Sequence, residues 1–248
     1  MPLADFASPR LFVDSPLRAD IAVALDRNQA NYLGNVLRLG TGDTVLVFNG
    51  RDGEWRAAIA GRKRPDALAI LNQTRPQDAL PDVAYVFAPL KHARLDYMVQ
   101  KAVEMGARTL QPVLTRYTQA SRVNLDRMHA NVIEAAEQCG ILSIAAVEEP
   151  LRLGGWLERR DPQRLLVFCD EGAAVADPQH ALSAAGAAPA GIDILIGPEG
   201  GFAEEERTLL LQQPRLARLS LGPRILRADT AAVAALALVQ VVLGDWRG

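Results

Sequence analysis

From Pro81 onward the chain alternates short apolar runs with helical segments, and this rhythm limits the fold more than any other feature. Leu165–Cys169 and Ile192–Ile196 are too short for helices, and too apolar for strands with a solvated face. Such runs read as strands buried on both faces of a parallel sheet. Val83–Ala88, Leu110–Leu114 and Leu216–Leu219 are expected to be further strands. Helices are expected at Ala93–Met105, Leu125–Cys139, Glu204–Gln212 and Thr230–Leu243, with Gly106 and Gly140 as stops. The Ala-rich stretch 172–191 reads as connection with room for one short helix. Repeated β-then-α order implies an α/β layer fold with a mainly parallel sheet.

The front of the chain has a different grammar. Thr44–Phe48 is a compact β-prone run followed by the turn pairs Asn49-Gly50 and Asp52-Gly53. Glu54–Ala60 and Ala67–Leu71 follow as strands, and 26–39 patterns as a helix ended by Gly40. Short strands with one helix suggest a small closed or half-closed β-barrel, and 73–81 reads as a linker. The 248 residues therefore divide into a small domain, 1–75, and a larger α/β domain, 76–248.

Composition excludes several classes. Two cysteines, Cys139 and Cys169, rule out a disulfide framework and a Cys-rich zinc site, and both read as packing residues. His92, His129 and His180 have no partners at metal-ligand spacing, so no metal is expected. No Gly-x-Ser-x-Gly elbow is present. A net charge of −2 argues against indiscriminate binding to nucleic acid, although a local basic patch is compatible with it. Residues 1–10 lack a signal-peptide pattern. The longest apolar stretch, Ala231–Leu243, is interrupted by Gln240 and is shorter than the ~20 residues a bilayer requires. An intracellular, soluble protein is expected.

Three stretches carry the polar chemistry. Ile192–Phe202 is a buried strand entering the turn Gly197-Pro198-Glu199-Gly200-Gly201, ahead of a helix. Ligands of open α/β sheets sit at strand carboxyl ends, and glycines there expose main-chain groups. An ordinary tight turn would read the same way. Phe202-Ala203 stands where a Walker loop needs Lys-Ser/Thr, and the dinucleotide fingerprint is absent. Glu199 repels phosphate, so an uncharged or cationic ligand suits the turn better. In the second stretch, Leu219–Thr230, a strand ends at Gly222-Pro223. Arg224 and Arg227 follow, before a helix capped by Asp229 or Thr230. These arginines either bind phosphate or a polar base, or pair with Glu199, Asp229 or Glu137. The third stretch is Glu134–Gly140 at a helix C-terminus, where a carboxylate or amide can face a cleft and an acid can accept a proton; Glu134 reads as solvated, while Glu137 and Gln138 fit either role.

These stretches, in this order, resemble the bacterial 16S ribosomal RNA (uracil-N3)-methyltransferases of the SPOUT class. The likeness covers nearly the whole chain, beginning with Arg10-Leu11-Phe12-Val13 and Asn35-Val36-Leu37-Arg38-Leu39-Gly40-x-Gly42-Asp43. It continues through Lys91, Lys101-Ala102-x-Glu104-x-Gly106 and Ala136-Glu137-Gln138-Cys139-Gly140. The Gly197–Phe202 turn and Leu221–Arg227 are its most specific parts. The chain departs from the family pattern in three places. Asn31-Tyr32 replaces the usual His, Ile141 and Ala145 replace an Arg and a Pro, and Asp229 replaces Glu. The change at Ile141 removes one RNA or dimer contact.

The resemblance implies a SPOUT-type knotted parallel-sheet domain preceded by a PUA/OB-like β-barrel that binds RNA. It implies S-adenosylmethionine as cofactor, a cationic ligand without phosphate. The expected cofactor residues are Phe168, then Ile196, Gly197, Pro198, Gly200 and Gly201, then Leu221, Gly222, Ile225 and Leu226. The implied reaction is methylation of N3 of a specific uridine in 16S ribosomal RNA of the small subunit. Arg227 would hold the flipped uracil's oxygen and stabilise charge as the N3 proton leaves. Glu137 would accept the proton or orient Arg227, with Asp229 as the second candidate. Expected RNA contacts are Arg10, Arg38, Arg62, Lys63, Arg64, Lys91 and Arg224. A cytoplasmic homodimer with the last helix in its interface is implied, and that helix is apolar all round. Residues 1–80 hold ten basic and nine acidic side chains, too slight an excess to establish RNA binding. Two other readings compete: a non-catalytic RNA-binding ribosome-assembly factor that retains the fold, or a SPOUT enzyme for another RNA.

Overall fold

The computed structural model describes residues 5, 7–62, 64–91, 93–120, 122–173 and 177–246. Its contacts divide the chain into two units, Met1–Ala79 with Ile133–Ile144, and Leu80–Val132 with Ala145–Gly248.

The first unit holds β1 (Arg10–Phe12), β2 (Ala22–Ala24), α1 (Arg27–Asn31), β3 (Thr44–Phe48), β4 (Glu54–Ala60) and β5 (Ala67–Arg75). The sheet runs β1-β3-β4-β5-β2 with open edges, parallel only between β1 and β3. The expected barrel is therefore at most half-closed. Val45, Val47, Ile59, Leu68 and Ile70 alternate inward and pack with Leu11, Val13 and Leu33, each buried aliphatic side chain contributing about 1.5–3 kcal/mol. Asn49 Oδ1 accepts from the N–H groups of Arg51 and Asp52 at 3.1 and 2.9 Å, which sets the turn between β3 and β4. Gly53 is obligatory there, because its φ is +81° and a Cβ would lie 2.4 Å from Arg75 O.

Two expectations need correction in this unit. The helical segment 26–39 starts with a capping box between Asp26 and Gln29, but widens into a π-turn over Tyr32–Val36. Arg38, at φ +59°, ends it before Gly40. The supposed linker 73–81 begins as strand, since β5 runs to Arg75. Arg75 and Arg10 both donate to the buried Glu54 carboxylate, at 2.8 and 3.0 Å, and Thr74 donates to its other oxygen. Burial pushes the Glu54 carboxyl up, but these bonds outweigh it and hold the group below its usual range. Residues 133–144 join this unit because Ala136 and Leu142 bury against Phe48.

The second unit contains β6 (Val83–Phe87), α2 (Ala93–Glu104), β7 (Thr109–Leu114), α3 (Leu125–Cys139), β8 (Ala146–Val147), β9 (Leu151–Arg152) and α4 (Leu153–Arg159). It continues with β10 (Leu165–Cys169), α5 (Pro178–Ala185), β11 (Ile192–Ile196), α6 (Glu204–Leu211), β12 (Leu216–Leu219) and α7 (Ala228–Val242). The last residues of α3, from Ile133, group with the first unit. Every pairing in the order β12-β10-β11-β6-β7-β8 is parallel, and β9 also pairs with β7. Three neighbouring strands at one side of this sheet, β10, β11 and β12, present their carboxyl ends together.

Asp193 interrupts the apolar pattern of β11 without loss because Arg164 Nε and Arg160 Nε donate to its two oxygens at 2.7 and 3.2 Å. Arg164 also donates to Asp82 at 2.8 Å, tying the start of β11 to the residue before β6. The α7 start also differs from expectation. The helix begins at Ala228, with Arg227 extended at the N-cap and no capping side chain. Asp229 therefore lies in the first turn, where its Oδ1 accepts from Thr230 N at 2.8 Å.

Candidate functional site

The turns that leave β10, β11 and β12 line one cleft of about 400 Å³. In the β11 turn, Gly201 N donates to Pro198 O at 2.9 Å, and Gly201 takes φ +71°. A Cβ on Gly197 would fall 2.4 Å from the Phe202 ring. Phe202 in turn packs edge-on against Phe168, with ring centroids 5.3 Å apart. Core packing thus holds the turn, and only glycine at 197 permits it. In the β12 turn, Gly222 has φ +98°, and a Cβ there would meet nothing within 4 Å. The cleft wall is main chain and open volume at that point.

Most of the expected cofactor residues line this cleft: Ile196, Gly197, Pro198 and Gly201 from one turn, Leu221, Gly222, Ile225 and Leu226 from the next. Two do not. Phe168 is fully buried and serves as the seat for Phe202. Gly200 lies outside the lining, where a Cβ would approach Tyr117 Cβ to 3.3 Å. In place of Phe168 the β10 end contributes Cys169, Asp170, Glu171 and Gly172. The end of Leu165–Cys169 is an expected cofactor loop, but Asp170, Glu171 and Gly172 were missed, although strand, acid and glycine follow one another there as they do at Ile196–Gly201. Arg207 and Arg218 donate to Asp170 Oδ2 at 3.0 and 2.7 Å, and Gly172 N donates to Oδ1 at 2.9 Å. Burial pushes the Asp170 carboxyl up, yet the two guanidinium groups and the Gly172 N–H hold it below its usual range.

Arg224 lines the cleft, and Arg227 stands at the N-cap of α7. Both are exposed. Neither makes an ion pair or side-chain hydrogen bond with a described residue, and the partners proposed for them are engaged elsewhere. Glu199 pairs with Arg94, Asp229 accepts from Thr230, and Glu137 Oε1 accepts from Phe12 N at 2.8 Å. Glu137 belongs to the first unit. Burial raises its pKa, the Phe12 bond opposes this, and nearby Glu134 adds to the rise. A carboxylate with a raised pKa is a stronger proton acceptor than an ordinary glutamate.

The remaining expected residues are scattered. Arg10 is buried on Glu54, so a phosphate contact by this arginine is not supported. Arg38 is exposed. Arg62 and Arg64 line an open groove of about 820 Å³ in the first unit, with Arg27. Lys63 and His92 lie outside the described residues. Lys91 is exposed in the second unit. Cys139, expected to pack, is exposed at the end of α3. Among the described residues no cluster of His, Cys, Asp or Glu has the makings of a metal site, and no helix is long and apolar enough to cross a membrane.

Comparison with known proteins gives this geometry its context. Residues 77–240 match the family model for an RNA methyltransferase domain, and residues 25–70 match that for an RNA methyltransferase PUA domain. The Synechocystis ribosomal RNA small subunit methyltransferase E is 34% identical over 94% of this chain and 78% of its own length. The Rickettsia conorii protein of the same name is 29% identical over 94% of this chain and 95% of its own. Among solved structures, the Neisseria gonorrhoeae ribosomal RNA small subunit methyltransferase E bound to S-adenosyl methionine superposes with a TM-score of 0.82. The identity is 26%, covering 96% of this chain and 99% of that one. A Legionella pneumophila protein in complex with SAM gives the same TM-score at 25% identity, with the same coverage of both chains.

Proposed function

Because the chain belongs to the RNA methyltransferase family that these two models define, we propose that it methylates N3 of a uridine in 16S ribosomal RNA, with S-adenosylmethionine as methyl donor. The observation that carries this reading is the cleft formed by three neighbouring glycine-bearing turns at strand carboxyl ends, in a fold shared with SAM-bound relatives. The fit is chemical as well. Glycine-bearing turns and the apolar Leu221, Ile225 and Leu226 suit a nucleoside, and the exposed Glu171 carboxylate at the cleft suits a cation. The Gly197–Gly201 turn, Gly222 and Leu226 would hold the cofactor through their main chain. When bound, it supplies an activated methyl group on a cationic sulfonium.

The chain's own residues do the rest. Uracil N3 carries a proton at neutral pH, and negative charge spreads to its carbonyl oxygens as that proton leaves. The exposed guanidinium of Arg227 holds one such oxygen and stabilises the charge. Glu137 is the proposed proton acceptor, with Asp229 as the second. Residues 1–75 form the RNA-binding domain, with Arg38, Arg62, Lys63 and Arg64 on phosphates, and residues 76–248 form the methyltransferase domain. Lys91 and Arg224 contact RNA from the second domain. The β12-β10-β11 order, with α7 packed on α2, α5 and β11, supports a trefoil knot. The apolar α7, with Val241 exposed, supports a homodimer. An enzyme acting on small-subunit RNA works in the cytoplasm.

Nucleoside mass spectrometry of 16S ribosomal RNA from cells with and without this protein tests the reading. Loss of 3-methyluridine at one position is expected, and an unchanged content overturns it. Arg227→Ala should bind S-adenosylmethionine normally by calorimetry while methylating at least about 100-fold more slowly. A full rate would end the Arg227 assignment.

A further inference from the structure

Another pocket of about 350 Å³ shares Pro198 and Glu199 with the cleft and adds Lys91 from the loop after β6, Arg94 from the first turn of α2 and Gln119 from the turn after β7. It lies wholly within the second unit. The geometry points to this pocket as the seat of an RNA phosphodiester next to the acceptor base, held by Lys91 and Arg94; the inference rests on the function proposed above.

Polarity separates the two cavities. The pocket carries two cations and an amide against a single carboxylate, Glu199, which Arg94 already neutralises. Lys91 and Gln119 make no side-chain hydrogen bond or ion pair with a described residue. The pocket therefore has donors to spare for an anion, whereas the cleft suits a cation. Its apolar floor includes Leu90, which is buried.

The wall bearing Gln119 is held in place. Arg116 N donates to Glu206 at 2.8 Å, and Thr115 N donates to Thr118 Oγ1 at 2.9 Å. The first bond ties the turn after β7 to the start of α6, and the second braces the turn internally. The same turn carries Tyr117, 47% exposed, whose ring offers a face on which a base can stack. Cations, an amide and an exposed aromatic ring together suit a nucleic-acid strand better than a small anion. The common wall brings an anion-binding pocket alongside the methyl donor's cleft, as transfer between two bound reactants requires. In this arrangement Glu199 positions Arg94, and Lys91 and Arg94 position the strand.

The test uses the full-length protein and transcribed 16S ribosomal RNA. Lys91→Ala, Arg94→Ala and the double variant are compared with wild type over a salt series. Each single change should weaken RNA binding about tenfold and lower the slope of log K against log salt by about 0.7. S-adenosylmethionine affinity should stay within about twofold, since neither side chain lines the cleft, and Arg94→Lys should restore most RNA affinity. An unchanged slope and affinity in the double variant overturns the proposal. So does cofactor binding lost in Arg94→Ala with RNA binding intact in Lys91→Ala, which would make Arg94 a brace for the turn alone. Competition separates the remaining source of anion. Inorganic phosphate bound at this pocket without displacing RNA overturns the proposal in favour of a small-anion site. If wild type binds RNA with the expected slope but methylates none, the proposed function fails while the pocket assignment stands.

Discussion

Asp170 sits where β10 ends, with Arg207 and Arg218 converging on one of its oxygens. Its side chain is only 4% exposed, whereas the arginine side chains are 28% and 38% exposed. Solvent therefore weakens the attraction less on the acid's side than on theirs. Replacing the carboxylate by an amide keeps the shape and removes the charge. Asp170→Asn should cost about 2 kcal/mol at pH 7. The folded-state pKa lies below the ordinary 3.8, so this stabilisation is complete above that ordinary value and is lost as pH falls through the folded one. Urea unfolding at pH 7 and pH 3 should show the gap between wild type and variant narrowing in acid. A gap independent of pH would mean that the charge is not what holds the β10 turn.

Among the elements, α7 shows how one polar residue can fix an apolar helix. Gln240 is fully buried, and its Nε2 donates to Met105 O, just beyond α2, at 2.7 Å. Gly106, at φ +79°, leaves room for this amide, because a Cβ there would lie 2.6 Å from Gln240 Nε2. Gln240→Leu should destabilise the protein by about 1–3 kcal/mol by stranding the Met105 carbonyl. Equilibrium unfolding checks this, and an unchanged stability would mean that the carbonyl finds another donor. The sequence pattern showed Gln240 as an interruption of an apolar run but not its partner, 135 positions away. Strands β10, β11 and β12 were legible because uniform burial leaves an apolar signature. The short β1 and β2 were not, since their three residues hold no period. Helix α4 was hidden by Gly154-Gly155, and buried Leu153 and Trp156 anchor it. The β11 and β12 turns were legible from their glycines. The role of Asp170 was not, because arginines from α6 and β12 reach it only in the fold.

At the scale of the whole molecule, the two units carry separate cores, and the cleft lies in the second. At one hundred times its Kd, a ligand that binds only the folded state adds about 2.7 kcal/mol. For a unit of this size that corresponds to a rise of about 5–10 °C in Tm. Calorimetry with S-adenosylmethionine should show this rise in Tm. No rise at saturating cofactor would leave the cleft without its proposed occupant.

Cys169 lines the same cleft, and loss of hydration pushes its thiol up to about 12. Loss of hydration disfavours the thiolate, which is the form that reacts. A thiolate beside a sulfonium would compete for the methyl group and, once alkylated, stay a thioether. The water-poor end of β10 keeps this sulfur inert, so the methyl group is saved for the nucleic acid.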